Sequence, residues 1–202
     1  MNRHQLIIEM TPRGEVVIDV GCDHGHHTRA IGAIGTEREP NRLPARTDIP
    51  LVVADGLAPF RRVDVAVITG MGAHTILRVL REGPTPKEAI VHAPEYSDRL
   101  RRGLASQGWR IINERLAPEA NRFAEVIHIE RGEELTCGYE LEFGPMLPKD
   151  PLHLDHANQL LGHKLTVINK APEGTRAHTE ASGWIEWLRV YISKHSPTLS
   201  AT

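Results

Sequence analysis

The sequence predicts an α/β protein: a mostly parallel, seven-stranded sheet followed by an antiparallel helical hairpin. Three observations carry this. Short apolar runs of strand length recur through the first two thirds of the chain, several of them stopping at a glycine or a carboxylate. The first five alternate with helical or loop segments, the pattern of a parallel sheet joined by crossovers. After Arg131-Gly132 the composition shifts, and two long segments with helical spacing take over.

Residues 3–11 read as a short helix, ended by Pro12 and Gly14. The first strand spans about 15–20 and delivers Asp19 to the turn Gly21-Cys22-Asp23-His24-Gly25. One or two helical turns follow over 24–32, and a short second strand, 33–37, ends in Glu37. Residues 38–50 carry three prolines and no apolar period, so they read as loop. Residues 50–56 form a third strand running into Asp55-Gly56, and 63–69 a fourth, followed by Gly70-Met71-Gly72. A helix over 73–82 leads to the fifth strand, 89–93, and a basic helix over about 96–107. Residues 109–114 and 124–129 are expected as an antiparallel pair at the sheet edge, with a loop at 117–122.

The helical segments are 152–170, with Leu154, Leu161, Leu165 and Ile168 on one stripe, and about 176–194. Ala171-Pro172-Glu173-Gly174 breaks them apart. Trp184, Trp187, Leu188, Tyr191 and Ile192 fall at the spacing of a buried face, so this aromatic stripe reads as core rather than as a base-stacking surface. The expected organisation is a ligand-binding domain over 1–133 and an α-helical region over 134–202, with a disordered tail from 195.

Composition narrows the function. With 202 residues, 40% hydrophobic and 25% charged, the chain is an ordinary globular protein, and its net charge of −2 supplies no global field for nucleic acid. The two cysteines, Cys22 and Cys137, form no CxxC and fit a reducing, cytoplasmic setting. No run approaches the length of a membrane span, and the N-terminus lacks a signal-peptide core.

The informative signals fall at the carboxyl ends of successive strands, where α/β sheets bind ligands. Gly21 and Gly25 let the backbone approach a ligand, while Asp19 and Asp23 bring carboxylates. Neither GxGxxG nor a phosphate loop is present. Glu37 is placed to accept hydrogen bonds from a ribose diol, and Asp55-Gly56 to meet an adenine edge. Together they point to a nucleoside-containing cofactor.

These same residues resemble, in order, the motifs of the bacterial tRNA (adenine-22-N1)-methyltransferase family: Asp19-Val20-Gly21-Cys22-Asp23-His24-Gly25, Ala33-Ile34-Gly35-Thr36-Glu37, Ala54-Asp55-Gly56-Leu57 and Gly70-Met71-Gly72. Glu125-Val126 and Gly144-Pro145-Met146-Leu147-Pro148-Lys149 look like its downstream signatures. The resemblance implies a class I, Rossmann-like domain dependent on S-adenosyl-L-methionine (SAM), a C-terminal coiled-coil-like region and a tRNA substrate. It implies that Asp19, Gly21, Asp23, His24, Glu37, Asp55, Gly56, Gly70, Met71 and Gly72 hold the cofactor. Here the segments flanking the second strand are trimmed, and the family's Gln-Pro-Asn after the fifth strand is Ala93-Pro94-Glu95. Asp23 at the transfer centre and Glu95 facing an exocyclic amino group are the expected catalytic carboxylates. A methyltransferase for a small molecule or protein, and a non-catalytic SAM- or RNA-binding homologue, stand as alternatives.

Two clusters carry competing readings. Asp23-His24-Gly25-His26-His27 is a polar turn or a metal site; with no HExxH or similar spacing, no metal is expected. Arg99, Arg101 and Arg102, with Arg78, Arg81 and Lys87, form a track for RNA phosphates or a solvated helix face.

Overall fold

The computed structural model describes residues 1–43 and 48–196. Part of the expected loop over 38–50 and most of the expected disordered tail therefore lie outside the described residues. The chain divides into two compact units, Met1–Leu147 and Pro148–Thr202.

In the first unit a seven-stranded sheet has the order β3-β2-β1-β4-β5-β7-β6. Its strands are β1 (Val17–Val20), β2 (Ile34–Glu37), β3 (Leu51–Val53), β4 (Val65–Thr69), β5 (Glu88–His92), β6 (Trp109–Glu119) and β7 (Arg122–Arg131). The first five pair in parallel; β7 is antiparallel to both β5 and β6. Because successive side chains alternate across a strand, β4 and β5 feed two cores at once. Ala66, Ile68, Ala89 and Val91 join the cluster under α3 (Ala73–Glu82) and α4 (Ser97–Ser106), through Ile76, Val79, Leu80, Leu100 and Leu104. Val67 and Ile90 join Leu6, Ile7 and Met10 of α1 (Arg3–Met10) on the other face. The helix α2 (His26–Ile31) is a turn and a half, as the trimmed segment predicts.

Three expectations shift. The 117–122 segment is not a loop: β6 and β7 pair out to Glu119↔Arg122. Pro118 is tolerated within this pair because β6 is an edge strand, where a missing N–H costs no ladder bond. A six-residue helix, α5 (Gly138–Phe143), follows β7, and Leu141, Phe143 and Leu147 are buried. The expected boundary at 133/134 therefore moves to 147/148, because this segment packs into the sheet domain.

The second unit is the helical pair α6 (His153–Lys170) and α7 (Arg176–His195). His153 Nδ1 lies 2.7 Å from the Tyr191 hydroxyl, joining the start of α6 to the end of α7, as an antiparallel hairpin requires. Trp184, Leu188 and Tyr191 are buried, in line with a core stripe. On α6 the buried positions are His156 and Ala157; Leu165, expected inward, is exposed. No described helix is long and apolar enough to cross a membrane.

Candidate cofactor and substrate site

Two adjoining cavities open at the carboxyl edge of β1, β2, β3 and β4, of about 250 Å³ and about 510 Å³. Gly21, Glu37, Arg42 and Met71 line both. The smaller adds Asp55, Gly56, Thr75 and Arg78; the larger adds Cys22, Asp23, His24 and Gly70, with Arg3, His4, His26 and His27.

Local backbone chemistry shapes this cleft. Gly21, Gly56 and Gly70 adopt φ of +71°, +69° and +74°, where a side chain would be strained. A Cβ on Gly21 would meet the terminal methyl of Met71 and displace it, so the β1 turn packs closely against the β4 loop at a position whose positive φ favours glycine. The Gly70 N–H donates to His92 O at 3.0 Å, tying that loop to the end of β5.

The acidic groups divide by role. Glu37 is nearly buried, and its Oε1 accepts the N–H groups of Arg38 (3.0 Å) and Glu39 (3.4 Å), which fixes the carboxylate at the cavity wall. Asp55 accepts from Arg78 Nη2 at 2.9 Å, and this hydrogen bond holds its carboxyl below the usual carboxylate range. Asp19 lines neither cavity: it is buried and accepts from Thr28 Oγ1 at 2.6 Å, so it anchors α2 beneath the turn. Burial pushes its carboxyl up to about 6. Asp23 and His24 are exposed at the mouth, Asp23 with a left-handed φ of +46°. Gly72 lines neither cavity and caps α3. Glu95 is exposed at the end of β5 and also lines neither, so Asp23 and Glu95 stand at the ends of strands separated by β4.

Sequence reasoning missed the contribution of α1 and of the later histidines. Arg3 is held by Glu119 of β6 at 2.7 Å, and His4 stacks on His27 with ring centroids 4.2 Å apart. Burial, with His4 and Arg3 beside it, lowers His27 to about 4. The run Gly25-His26-His27 was the available signal; which element it faces is a matter of tertiary docking. Among the described residues, no group of three His, Cys, Asp or Glu side chains could hold a metal ion.

The basic set does not form one track. Arg101 is a correction: it is 1% exposed, donates from Nε to Glu114 Oε1 (2.7 Å) and from Nη1 to Glu142 O (3.0 Å), and pairs with Glu125 at 2.6 Å. Burial disfavours its charge, but the two carboxylates outweigh that and raise it. Lying next to Leu100 on α4, it faces the seam with β6 and β7, not solvent. Met146 N–H donates to Glu114 Oε2 at 3.0 Å, so Glu125 and the Gly144-Pro145-Met146 signature meet in one buried network. Lys87 binds Asp64 (2.9 Å) just before β5, at the end of the strand away from the cleft. Arg78 belongs to the smaller cavity. Arg99 and Arg102 remain exposed, the latter against Asp98 (3.5 Å) and Glu142 (3.4 Å).

This edge fits a nucleoside cofactor on its own geometry: a glycine turn at positive φ packed against Met71, a fixed carboxylate at the end of β2, and cavities on either side of Met71. Sheet order and site together define a class I, SAM-dependent methyltransferase. The sequence model described as tRNA (adenine(22)-N(1))-methyltransferase (TrmK) matches residues 39–178, and the chain belongs to that family. The tRNA (adenine(22)-N(1))-methyltransferase of Bacillus subtilis (strain 168) is 25% identical over 177 residues, 73% of this chain and 74% of that protein. Among solved structures, Streptococcus pneumoniae Sp1610 in complex with S-adenosyl-L-methionine has a TM-score of 0.77 at 23% identity, covering 95% of this chain and 100% of that one. TrmK from M. capricolum, in complex with S-adenosyl-homocysteine, also has a TM-score of 0.77, at 18% identity, covering 95% and 96%.

Proposed function

We propose that this chain methylates N1 of an adenine in tRNA, with Glu37 and Asp55 on the cofactor side and Asp23 and Glu95 on the substrate side. The observation that carries this is the meeting of two cavities at Gly21 and Met71, one lined by Asp55 and the other by Asp23. When bound, SAM supplies an electrophilic methyl group. Glu37, with Oε1 already engaged by two backbone N–H groups, is oriented to receive a ribose diol through its remaining oxygen. Asp55 is held by Arg78 at the wall of the same cavity, in position for the adenine edge.

Adenine N1 has an in-plane lone pair and needs no prior deprotonation, so this chemistry asks chiefly for positioning. The ring gains positive charge as the new bond forms, and the Asp23 carboxylate at the cavity mouth offsets it. A carboxylate accepts hydrogen bonds and repels a carbonyl, so Glu95 favours the amino edge of adenine over guanine. The base reaches the cleft from an unpaired position or by leaving its stack. Arg99 and Arg102 are the exposed members of the basic set available to RNA phosphates. A cytoplasmic location accompanies a tRNA substrate.

The test is radiolabelled methyl transfer from SAM into bulk tRNA, followed by nucleoside mass spectrometry. The expected product is 1-methyladenosine. A label in another nucleoside, or none, overturns the assignment. Full turnover in both Asp23→Asn and Glu95→Gln, at unchanged SAM affinity, removes those two residues from the mechanism.

A further inference from the structure

Tyr96 follows Glu95 in the segment that links β5 to α4, and three observations set it apart. Its side chain is 57% exposed. Its backbone is left-handed, at φ +61° and ψ +43°, a conformation shared among non-glycine described residues only with Asp23. One face of its ring is covered by Arg99, whose guanidinium carbon lies 4.5 Å from the ring centroid.

No structural duty explains a tyrosine here. As the residue capping α4 it contributes only its carbonyl, to Leu100 N–H at 3.0 Å, and no side-chain cap bond. Glycine would serve that role without the left-handed penalty. The location does suggest a duty. The bond from Gly70 N–H to His92 O ties the β4 loop to the end of β5, four residues before Tyr96, and the neighbouring Met71 lines both cavities. An exposed aromatic ring, kept in a costly backbone conformation at the substrate end of the cleft and held by a guanidinium, has the form of a platform for a partner.

We propose that Tyr96, with Arg99 behind it, is the stacking platform for an unpaired base of the RNA substrate. Proteins read single-stranded RNA by stacking splayed bases on aromatic rings and guanidinium planes. Arg99 orients the ring by cation–π contact and carries its charge toward the neighbouring phosphates. Tyr96 thus meets the face of the base, while Glu95 beside it addresses an edge. This rests on the reading of tRNA as substrate.

The experiment compares Y96G, Y96F and the parent in four measurements: tRNA affinity, kcat/KM for methyl transfer to bulk tRNA, SAM affinity and Tm. Y96G is expected to weaken tRNA binding and kcat/KM by about 5- to 150-fold, the range for losing one base–aromatic stack. SAM affinity stays at the parent value, and Tm does not fall, since glycine accepts the left-handed backbone. Y96F restores most of the tRNA affinity lost in Y96G. A Y96G variant that binds and methylates tRNA like the parent overturns the proposal, as does one that loses SAM affinity or melts several degrees lower. A parent protein that moves no methyl group to tRNA sinks the methylation reading alone, and the affinity comparison still decides the role of Tyr96.

Discussion

Charged residues cluster in two regions of the sheet domain, and the two behave oppositely. At the carboxyl edge of β1 to β3, Glu37, Asp55 and Arg78 line open cavities. Between α4 and the β6–β7 pair, Arg101, Glu114 and Glu125 are as densely charged, but they pair with one another, Arg101 and Glu114 out of reach of water and Glu125 mostly so. The sequence presents both as acids and arginines near strands and helices. What separates them is burial: the α4 seam closes over its charges, whereas Glu37 and the Asp55–Arg78 pair stand at the wall of an open cavity. A buried charge is tolerated only when paired and hydrogen-bonded, so the α4 seam is complete, whereas the strand-end carboxylates keep an oxygen to offer.

The sharpest way to break this comparison is Arg101→Ala. It takes the buried guanidinium away from Glu114 and Glu125, and loss of one partner from a buried ion pair costs about 3–5 kcal/mol. For a chain of this size that lowers Tm by roughly 6–20 °C. Arg99→Ala should barely move it. Equal melting of Arg101→Ala and the parent would return Arg101 to the surface.

Next in size is the pH dependence carried by Asp19. Its carboxyl is raised from an ordinary 3.8 to about 6, so the folded state holds this proton more tightly than the unfolded chain does. The contribution is fully present below pH ~4 and is lost as pH rises through ~6, a change of about 3 kcal/mol. His27 acts in the opposite sense: lowered to about 4, it destabilises in acid and ceases to do so as pH rises to ~6.5. The parent alone therefore shows a muted profile, and Asp19→Asn unmasks it. Denaturant melts of both proteins at pH 4 and pH 7 check this, and a parent–variant difference that is the same at both pH values refutes it.

On the cavity side, Glu37→Ala should weaken SAM binding by roughly 1–3 kcal/mol in calorimetry, as expected for a charged acceptor of hydroxyl hydrogen bonds, with Tm of the unliganded protein little changed. The smallest effect belongs to Arg78→Gln. Its partners Asp55 and Glu82 are both about half exposed, so Tm should not move, and SAM affinity should shift less than in Glu37→Ala. A large loss of stability in either variant would make the strand-end cluster structural, like the α4 seam.

The parallel sheet was legible because β1, β4 and β5 are near-continuous apolar runs that no other element explains. The strand-end carboxylates were legible for the same reason: each follows such a run. The length of the β6–β7 pair was not legible because 117–122 carries polar residues and a proline, which a strand accepts only where it lies at an edge. Arg101 was misread because its partners lie on β6 and β7, and adjacency to Leu100 does not reveal which side of α4 they occupy. Likewise Arg3 and His4 entered the cleft through the docking of α1, which local sequence does not encode.

The two outer strands of the sheet have a consequence for how the protein behaves when concentrated. An exposed strand edge is a template for another chain, and long, flat ones seed aggregation. At one end β3 has only three residues, too few to hold a foreign strand firmly. At the other, β6 is eleven residues long but defended: its register shifts between Ile111 and Asn113, and Pro118 removes an N–H. The Ile111 N–H is already taken by Glu134 at 2.9 Å, and Arg115 is engaged by Glu9 of α1 at 2.8 Å. The row of amides on this edge is therefore interrupted near both of its ends, which shortens the stretch a second molecule could zip onto.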